Sequence, residues 1–244
     1  MKRTYADLHL HPNLKDSEHF SQMMSEASRL GYRLVALAFP SDLAEEELQR
    51  FVETSKDARI DLASRVDLKP RTPKELIHGL RRLRRKFEII AVICESKNVA
   101  RQAAKDRRVD LLNFQSLDFR SRFFDKAEAE LASKGLTSLE IDMKPLLTLE
   151  GPVRVRFLST LRREAAIARD FHVPIVISSG VSDKMLMRKP RELAALSSLF
   201  DLDEASAIEA VSKNPVAIVK RNREKLGSRF VAPGIRLVRR GKDC

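Results

Sequence analysis

Short aliphatic runs return along the chain about every 25 to 35 residues, and the stretches between them carry apolar residues at helical spacing. The runs lie at 4–10, 32–39, 59–67, 88–95, 109–114, 136–143 and 173–179. Parallel strands cannot be joined by a tight turn and need a crossover, usually a helix. The rhythm therefore predicts repeated βα units and a parallel sheet of seven strands. Phe20, Met23, Met24, Ala27 and Leu30 form the apolar stripe of the first helix, and Leu76, Ile77, Leu80 and Leu83 that of the third. Phe157, Leu158, Leu161, Ala165 and Ala168 do the same for the sixth. Thr72, Pro73 and Glu75 have the spacing of a capping box with proline in the first turn. Asn214-Pro215 reads as the cap and first turn of a last helix that runs to about Lys225. Beyond it the pattern dissolves, so the organisation expected is one domain over 1–225 and a basic C-terminal tail over 226–244.

Such a sheet can stay open or close into a barrel. An open nucleotide-binding sheet would show GxGxxG after its first strand, or a GxxxxGK[ST] phosphate loop. Neither occurs, and the chain has just 8 glycines among 244 residues. The fold class expected is therefore α/β, a TIM-like (β/α) barrel with seven parallel strands. Functional groups in such barrels sit at the C-terminal ends of the strands.

Lys and Arg number 46 against 34 Asp and Glu, a formal charge of +12 that favours polyanionic partners. No run approaches the roughly 18 apolar residues of a membrane helix, and MKRTYADLH lacks the apolar core of a signal peptide. Cys94 and Cys244 offer neither a CxxC pair nor a disulfide framework. A cytoplasmic protein in a reducing compartment, with no membrane partner, is expected.

The first strand ends YADLHLHP. Strict alternation would put Asp7, His9 and His11 on one face and Ala6, Leu8 and Leu10 on the other, giving a polar cluster at the barrel mouth. Two neutral imidazoles can ligate a metal. The carboxylates at strand ends, Asp67, Glu95, Glu140 and Asp142, can hold a hard cation or form salt bridges. DLHLHPNLKDS resembles the opening motif of the polymerase-and-histidinol-phosphatase superfamily, metal-dependent phosphoesterases on a distorted seven-stranded barrel. That resemblance implies further ligands which this chain lacks. Its second strand ends AFPSD and its seventh ISSGVSD, and the other histidines, His19, His78 and His172, lie in positions suited to structural or exposed roles.

A second resemblance is closer. ADLHLHP, ASRVDLKP, VDLLNF, LEIDMKPLL and VISSGVSDKMLMRKPRELAAL together resemble the family of archaeal ribonuclease P protein component 3, whose eukaryotic counterpart is the barrel subunit of the nuclear enzyme. The similarity spans residues 1 to about 225, and ISSG followed by R-x-P before a helix is its most specific element. It implies a barrel that has lost its metal ligands and binds RNA without doing chemistry, so neither a catalytic residue nor a metal ligand is expected in it. In that family a catalytic RNA, which requires Mg²⁺, removes the 5′ leader of precursor tRNA. The barrel subunit works beside protein component 2 and touches precursor tRNA only indirectly.

The cations fit an RNA partner. Arg81, Arg82, Arg84, Arg85 and Lys86 surround the inward-facing Leu83 at the end of the third helix. Arg107 and Arg108 precede the fifth strand, Arg120 and Arg122 follow it, and Lys184, Arg188, Lys189 and Arg191 follow the seventh. Residues 220–244 hold nine cations against two acids. Arg65 interrupts an apolar strand, and if buried it requires a partner such as Asp7 or Asp67. The candidate RNA-binding residues are Arg65, Arg81, Arg82, Arg84, Arg85, Lys86, Arg107, Arg120, Lys184, Arg188 and Arg191. Aromatic residues make up 6% of the chain and Trp is absent, so phosphate contacts rather than base stacking are expected to carry affinity. Two other readings remain open from sequence: an active phosphoesterase built on Asp7, His9, His11, Glu140 and Asp142, and a scaffold that contacts only proteins.

Overall fold

A computed structural model describes residues 3–232 and 235–237. The first half of the chain runs β1 (Ala6–Leu10), α1 (Ser17–Leu30), β2 (Leu34–Ala38), α2 (Glu45–Asp57), β3 (Asp61–Leu68), α3 (Pro73–Leu83), β4 (Ile89–Ile93), α4 (Lys97–Lys105) and β5 (Leu111–Asn113). It continues α5 (Lys126–Gly135), β6 (Ser138–Asp142), α6 (Lys144–Thr148), α7 (Gly151–Asp170), β7 (Ile175–Ser178), α8 (Pro190–Leu196), α9 (Glu204–Ala210) and α10 (Lys213–Leu226), then a small hairpin of β8 (Phe230–Ala232) and β9 (Ile235–Arg236). The seven strands expected from the sequence all form, and β1 to β7 pair in parallel in sequence order. The result is the TIM-like barrel, nearly closed. Across the remaining gap Gly180 N–H donates to the His9 carbonyl and His11 N–H to that of Val181, both at 2.9 Å.

Two apolar layers divide the interior. Ala6, Leu8, Leu34, Ala36, Ala63, Ile89, Ala91, Leu111 and Val176 form an inner cluster, which Ile218 and Val219 of α10 complete. The larger cluster lies between the outer strand faces and the helices, where Met23, Leu76, Val99, Leu161 and Leu193 are buried. Helix α10 is therefore the floor of the barrel, set against the N-terminal ends of the strands, and the opposite end is the mouth. Among the described residues no helix is long and apolar enough to cross a membrane.

Helix ends follow local chemistry. The Asp16 side chain accepts from the N–H groups of Glu18 and His19, and Gly31 takes the left-handed conformation after α1 at φ 101°. Thr72 caps α3 as expected, accepting from Glu75 N–H at 3.2 Å. The Glu75 carboxylate, however, reaches back to Arg71 N–H at 2.8 Å rather than to the cap residue. Helix α10 begins at Lys213, and Asn214 is not its cap: its side-chain amide donates to the Ile175 carbonyl at 2.8 Å, fastening the floor to β7.

Two sequence expectations change here. Strand β1 does not alternate strictly, because its register against β2 shifts between Asp7 and Leu10, leaving Leu8 and His9 together opposite a single residue. Ala6 and Leu8 keep the inner face, His9 joins them there, Leu10 turns to the outer layer, and Asp7 leaves the His9 face. In the region read as a basic tail, residues 230–236 contain the antiparallel pair β8 and β9. Residues 233–234 and 238–244, with Arg239, Arg240 and Lys242, lie outside the described residues.

Gly180, at φ +66°, is pressed against the Asp142 side chain, where an added Cβ would sit 3.0 Å from two of its carbons. Gly180→Ala is expected to cost about 1–3 kcal/mol, combining left-handed strain with displacement of Asp142. Urea denaturation measures this, and an unshifted midpoint would show that the β7 turn tolerates a side chain.

Candidate functional site

Arg65 on β3 is fully buried in the upper barrel and bonded in several directions. Its Nε donates to Asp67 at 2.7 Å, its Nη1 to the Leu8 carbonyl at 2.7 Å and Glu140 at 2.6 Å, and its Nη2 to the second Glu140 oxygen at 2.7 Å. Glu140 on β6 also accepts from Ser178 Oγ at 2.7 Å and Asn113 Nδ2 at 2.8 Å. Asn113 Nδ2 donates as well to Asp142 at 2.9 Å. One guanidinium and one carboxylate thus tie β1, β3, β5, β6 and β7 together. Burying charges this way is tolerable only because nearly every lone pair and proton has a partner.

His9 sits just above. Its Nδ1 lies 2.8 Å from Asp142 and its Nε2 3.0 Å from Asp67. Burial and Arg65 oppose a charge on this ring, but Asp142 and Glu140 outweigh them and push its pKa up to about 10. An imidazolium donating from both nitrogens is the form that fits. Asp67 and Asp142 are held below the usual carboxylate range: burial opposes this, and the nearby charges of Arg65 and His9 prevail. His11, half-buried, meets His9 edge-on with ring centroids 4.2 Å apart. Burial and the His9 charge lower its pKa to about 4, so it is neutral at physiological pH. A cavity of ≈ 270 Å³ opens beside it, lined by Phe114, Gln115, Asp142, Lys144 and Phe157 among others.

The donor atoms of two triads, His9 with His11 and Asp67, and His9 with Glu140 and Asp142, lie within 4.8 Å of one another. The chemistry does not suit a metal. Both His9 nitrogens are engaged with carboxylates, and Arg65 lies among the same carboxylates, so a cation would have to displace a proton and face a fixed guanidinium. Glu95 is exposed and outside the network.

Asp7, expected to share this face, is buried between β1 and the β7 turn. One of its oxygens accepts from His9 N–H and Ser179 N–H, both at 3.1 Å, and burial raises its pKa. Asp7 fastens the barrel seam and Asp67 is the partner of Arg65. Sequence reasoning missed Glu140 as that arginine's second partner, because the two lie 75 residues apart and meet only through strand register. It also read Arg122 as a surface cation. Arg122 is buried, bidentate to Glu164 of α7 at 2.8 and 2.6 Å, and donates to the Phe114 carbonyl. Its guanidinium lies 5.9 Å from the Phe114 ring centroid and 5.5 Å from that of Phe157. The available signals were the neighbouring aromatics Phe123 and Phe124, and a glutamate on the apolar face of α7.

The structure sorts the RNA-binding candidates. Arg65 is corrected outright, since a fully buried, fully engaged guanidinium cannot meet phosphate. Arg84 is a bracket: it pairs with Asp110 and donates to the carbonyls of Phe87, Glu88 and Arg108. Arg188 is half-buried and bonded to the Met185 and Met187 carbonyls. Arg81, Arg82, Arg85, Lys86 and Arg107 are exposed and precede β4 or β5, at the floor end. Arg120, Lys184 and Arg191 are exposed too; Lys184 reaches Gln22 at 2.7 Å and Arg191 the Tyr5 hydroxyl at 3.1 Å. In the basic C-terminal segment, Arg221 pairs with Asp110 and Arg223 with Asp61 and Glu88, so both belong to the barrel. His19 accepts from Asn13 N–H, His78 is exposed, and His172 stands in the turn before β7 at φ 55°.

Seven parallel strands around a mouth whose buried carboxylates face an internal arginine and a charged histidine define a TIM-like barrel protein in which His9 is held in salt bridges and His11 packs against it. The chain belongs to the RNase P subunit p30 family, whose model matches residues 4–226. Ribonuclease P protein component 3 of Methanosarcina barkeri is 30% identical over 98% of this chain and 98% of that protein. The Methanosarcina mazei protein of the same name is 29% identical over 99% and 98%. A chain in the cryo-EM structure of archaeal ribonuclease P with mature tRNA shares the fold, with a TM-score of 0.84, 20% identity, and coverage of 96% of this chain and 99% of that one.

Removing one partner of the central network leaves charges buried alone, so Arg65→Ala is expected to lose about 3–5 kcal/mol in chemical denaturation; a loss below 1 kcal/mol would mean the network carries little. For His9 the folded pKa lies above the unfolded value of about 6.5. Its contribution is fully present below pH 6.5 and fades as pH rises toward about 10. Stability measured across that interval is expected to fall less steeply in His9→Asn than in the natural chain, and parallel curves would contradict the charged form.

Proposed function

We propose that this chain is the RNA-binding protein subunit of ribonuclease P, assisting the catalytic RNA in removing the 5′ leader from precursor tRNA, with the chemistry performed by the RNA. Membership of the RNase P subunit p30 family supports this reading. The observation that carries it from the structure is the mouth, where Arg65 and the imidazolium of His9 neutralise the carboxylates that a phosphoesterase would reserve for metal. A hydrolytic centre needs several free ligands converging on the ion. The phosphoesterase alternative is accordingly not favoured. In this reading the polypeptide alone is inactive and binds no cofactor, and Mg²⁺ belongs to the RNA.

Its partners are the catalytic RNA, protein component 2 and, through the RNA, precursor tRNA, and its place is the cytoplasm. Phosphate contacts come from exposed cations drawn from Arg81, Arg82, Arg85, Lys86, Arg107, Arg120, Lys184 and Arg191. Reconstitution tests the role: precursor-tRNA cleavage by the assembled enzyme is expected to drop when this chain is left out and to return on its addition. Metal-dependent phosphodiester hydrolysis by the isolated polypeptide, lost in His11→Ala, would overturn it. RNA affinity is also expected to fall steeply with salt, and each phosphate contact removed should lower the slope of log K against log salt by about 0.7–0.9. Titration at several salt concentrations reads this directly, and a flat response would exclude phosphate-led binding.

A further inference from the structure

The floor of the barrel gathers cations around a single buried acid. Asp110, at the entrance to β5, is 1% exposed and accepts from Arg84 at 2.5 Å, Arg221 at 2.9 Å, Asn222 at 2.8 Å and Ile90 N–H at 3.0 Å. Two guanidiniums on one carboxylate leave a fixed excess of one positive charge. Arg221 and Asn222 come from α10 and Arg84 from the end of α3, so this charge cannot drift away on a flexible side chain.

Other cations flank it. Lys225 follows Arg221 by four residues on the same helix, one turn further along. Arg107 adjoins Arg108, whose carbonyl Arg84 holds at 3.1 Å. Arg85 and Lys86 continue directly from Arg84. All four are exposed, and among the described residues none has a salt-bridge partner, whereas the neighbouring Arg84, Arg108, Arg221 and Arg223 all do. The crowding is sensed chemically. The Lys225 ammonium is lowered from its ordinary pKa by loss of hydration and by Arg221, Arg84 and Arg107, against the opposing pull of Asp110. Like charges that disfavour one another in this way are relieved by an external anion.

The mouth differs. Its interior network sets Asp67, Glu140 and Asp142 against Arg65 and His9, so it holds no positive surplus. Resting on the proposed RNA-binding role, we infer that the RNA-facing side of the barrel is its floor, where Arg85, Lys86, Arg107 and Lys225 grip consecutive backbone phosphates around the Asp110–Arg84–Arg221 cluster. Exposed cations of this kind suit sugar-phosphate recognition. On this inference the mouth faces away from the RNA backbone, and Arg120 and Lys184, which follow β5 and β7 at that end, drop out of the phosphate-binding set.

The experiment compares two double charge reversals in the full chain against the cognate ribonuclease P RNA. Arg107→Glu with Lys225→Glu alters the floor, and Lys144→Glu with Arg156→Glu alters the residues that follow β6 at the mouth. Among the described residues neither Arg107 nor Lys225 has a salt-bridge partner, so the floor variant is expected to melt as the natural chain does; Arg107→Gln with Lys225→Gln serves if it does not. The floor variant should lower the log K against log salt slope by about 1.4–1.8, and the mouth variant should leave it unchanged. Equal losses from both variants, or a floor variant binding like the natural chain, would overturn the assignment while sparing the RNA-binding role. Failure of the natural chain to bind RNA would instead remove that role. Unchanged RNA binding with lost association to protein component 2 would make the floor a protein interface and also overturn it.

Discussion

A guanidinium in the upper barrel requires that five strands arrive in one register. Arg65 reaches the Leu8 carbonyl on β1, Asp67 on its own strand and both oxygens of Glu140 on β6; through Glu140 it is joined to Asn113 on β5 and Ser178 on β7. A slip of one residue in any of these strands would turn a partner outward and leave a buried charge uncompensated. An apolar core in the same place would be more forgiving and less discriminating. The charged network thus specifies how the sheet closes, while the apolar layers outside it supply most of the attraction that holds helices to strands.

The same device recurs at the opposite end, with a different outcome. Asp110 gathers Arg84, Arg221 and Asn222, and Arg223 joins α10 to Asp61 and Glu88. In the network at the mouth Asp67, Glu140 and Asp142 face Arg65 and His9, and the cluster is closed on itself. At the floor two guanidiniums share Asp110 while Arg223 is matched by Asp61 and Glu88, and the exposed Arg85, Lys86, Arg107 and Lys225 stand beside them. A barrel of this fold is ordinarily read from the mouth, where loops after the strands carry function. Here the carboxylates at that end are taken up by Arg65 and His9.

The fold was legible because strand and helix periods differ. All seven strands and the stripes of α1, α3 and α7 fall where hydrophobic spacing puts them, with Phe20, Met23, Leu76, Leu80, Phe157 and Leu161 buried. Family resemblance added the expectation that the histidines are not catalytic. What sequence could not give was pairing. Spacing marks Arg65 as anomalous inside an apolar strand but says nothing of Glu140, and it treats Arg84, Arg122, Arg221 and Arg223 as equivalent to their exposed neighbours. Charge counting fails there because an arginine's role depends on which acid the fold sets beside it. The β1 bulge escaped notice for a related reason: one extra residue in a strand leaves no compositional mark, yet it moved Asp7 from the His9 face to the seam.

Helix α10 supplies Ile218 and Val219 to the inner cluster. Ribosomes deliver a chain from its N-terminus, and these two side chains emerge after all seven strands. Without them Leu34, Ala63, Ile89 and Leu111 would lack the side chains that complete their cluster at the base of the barrel. The inner layer is therefore completed by the last of the helices around the barrel, so its closure depends on a segment far from the strands in sequence.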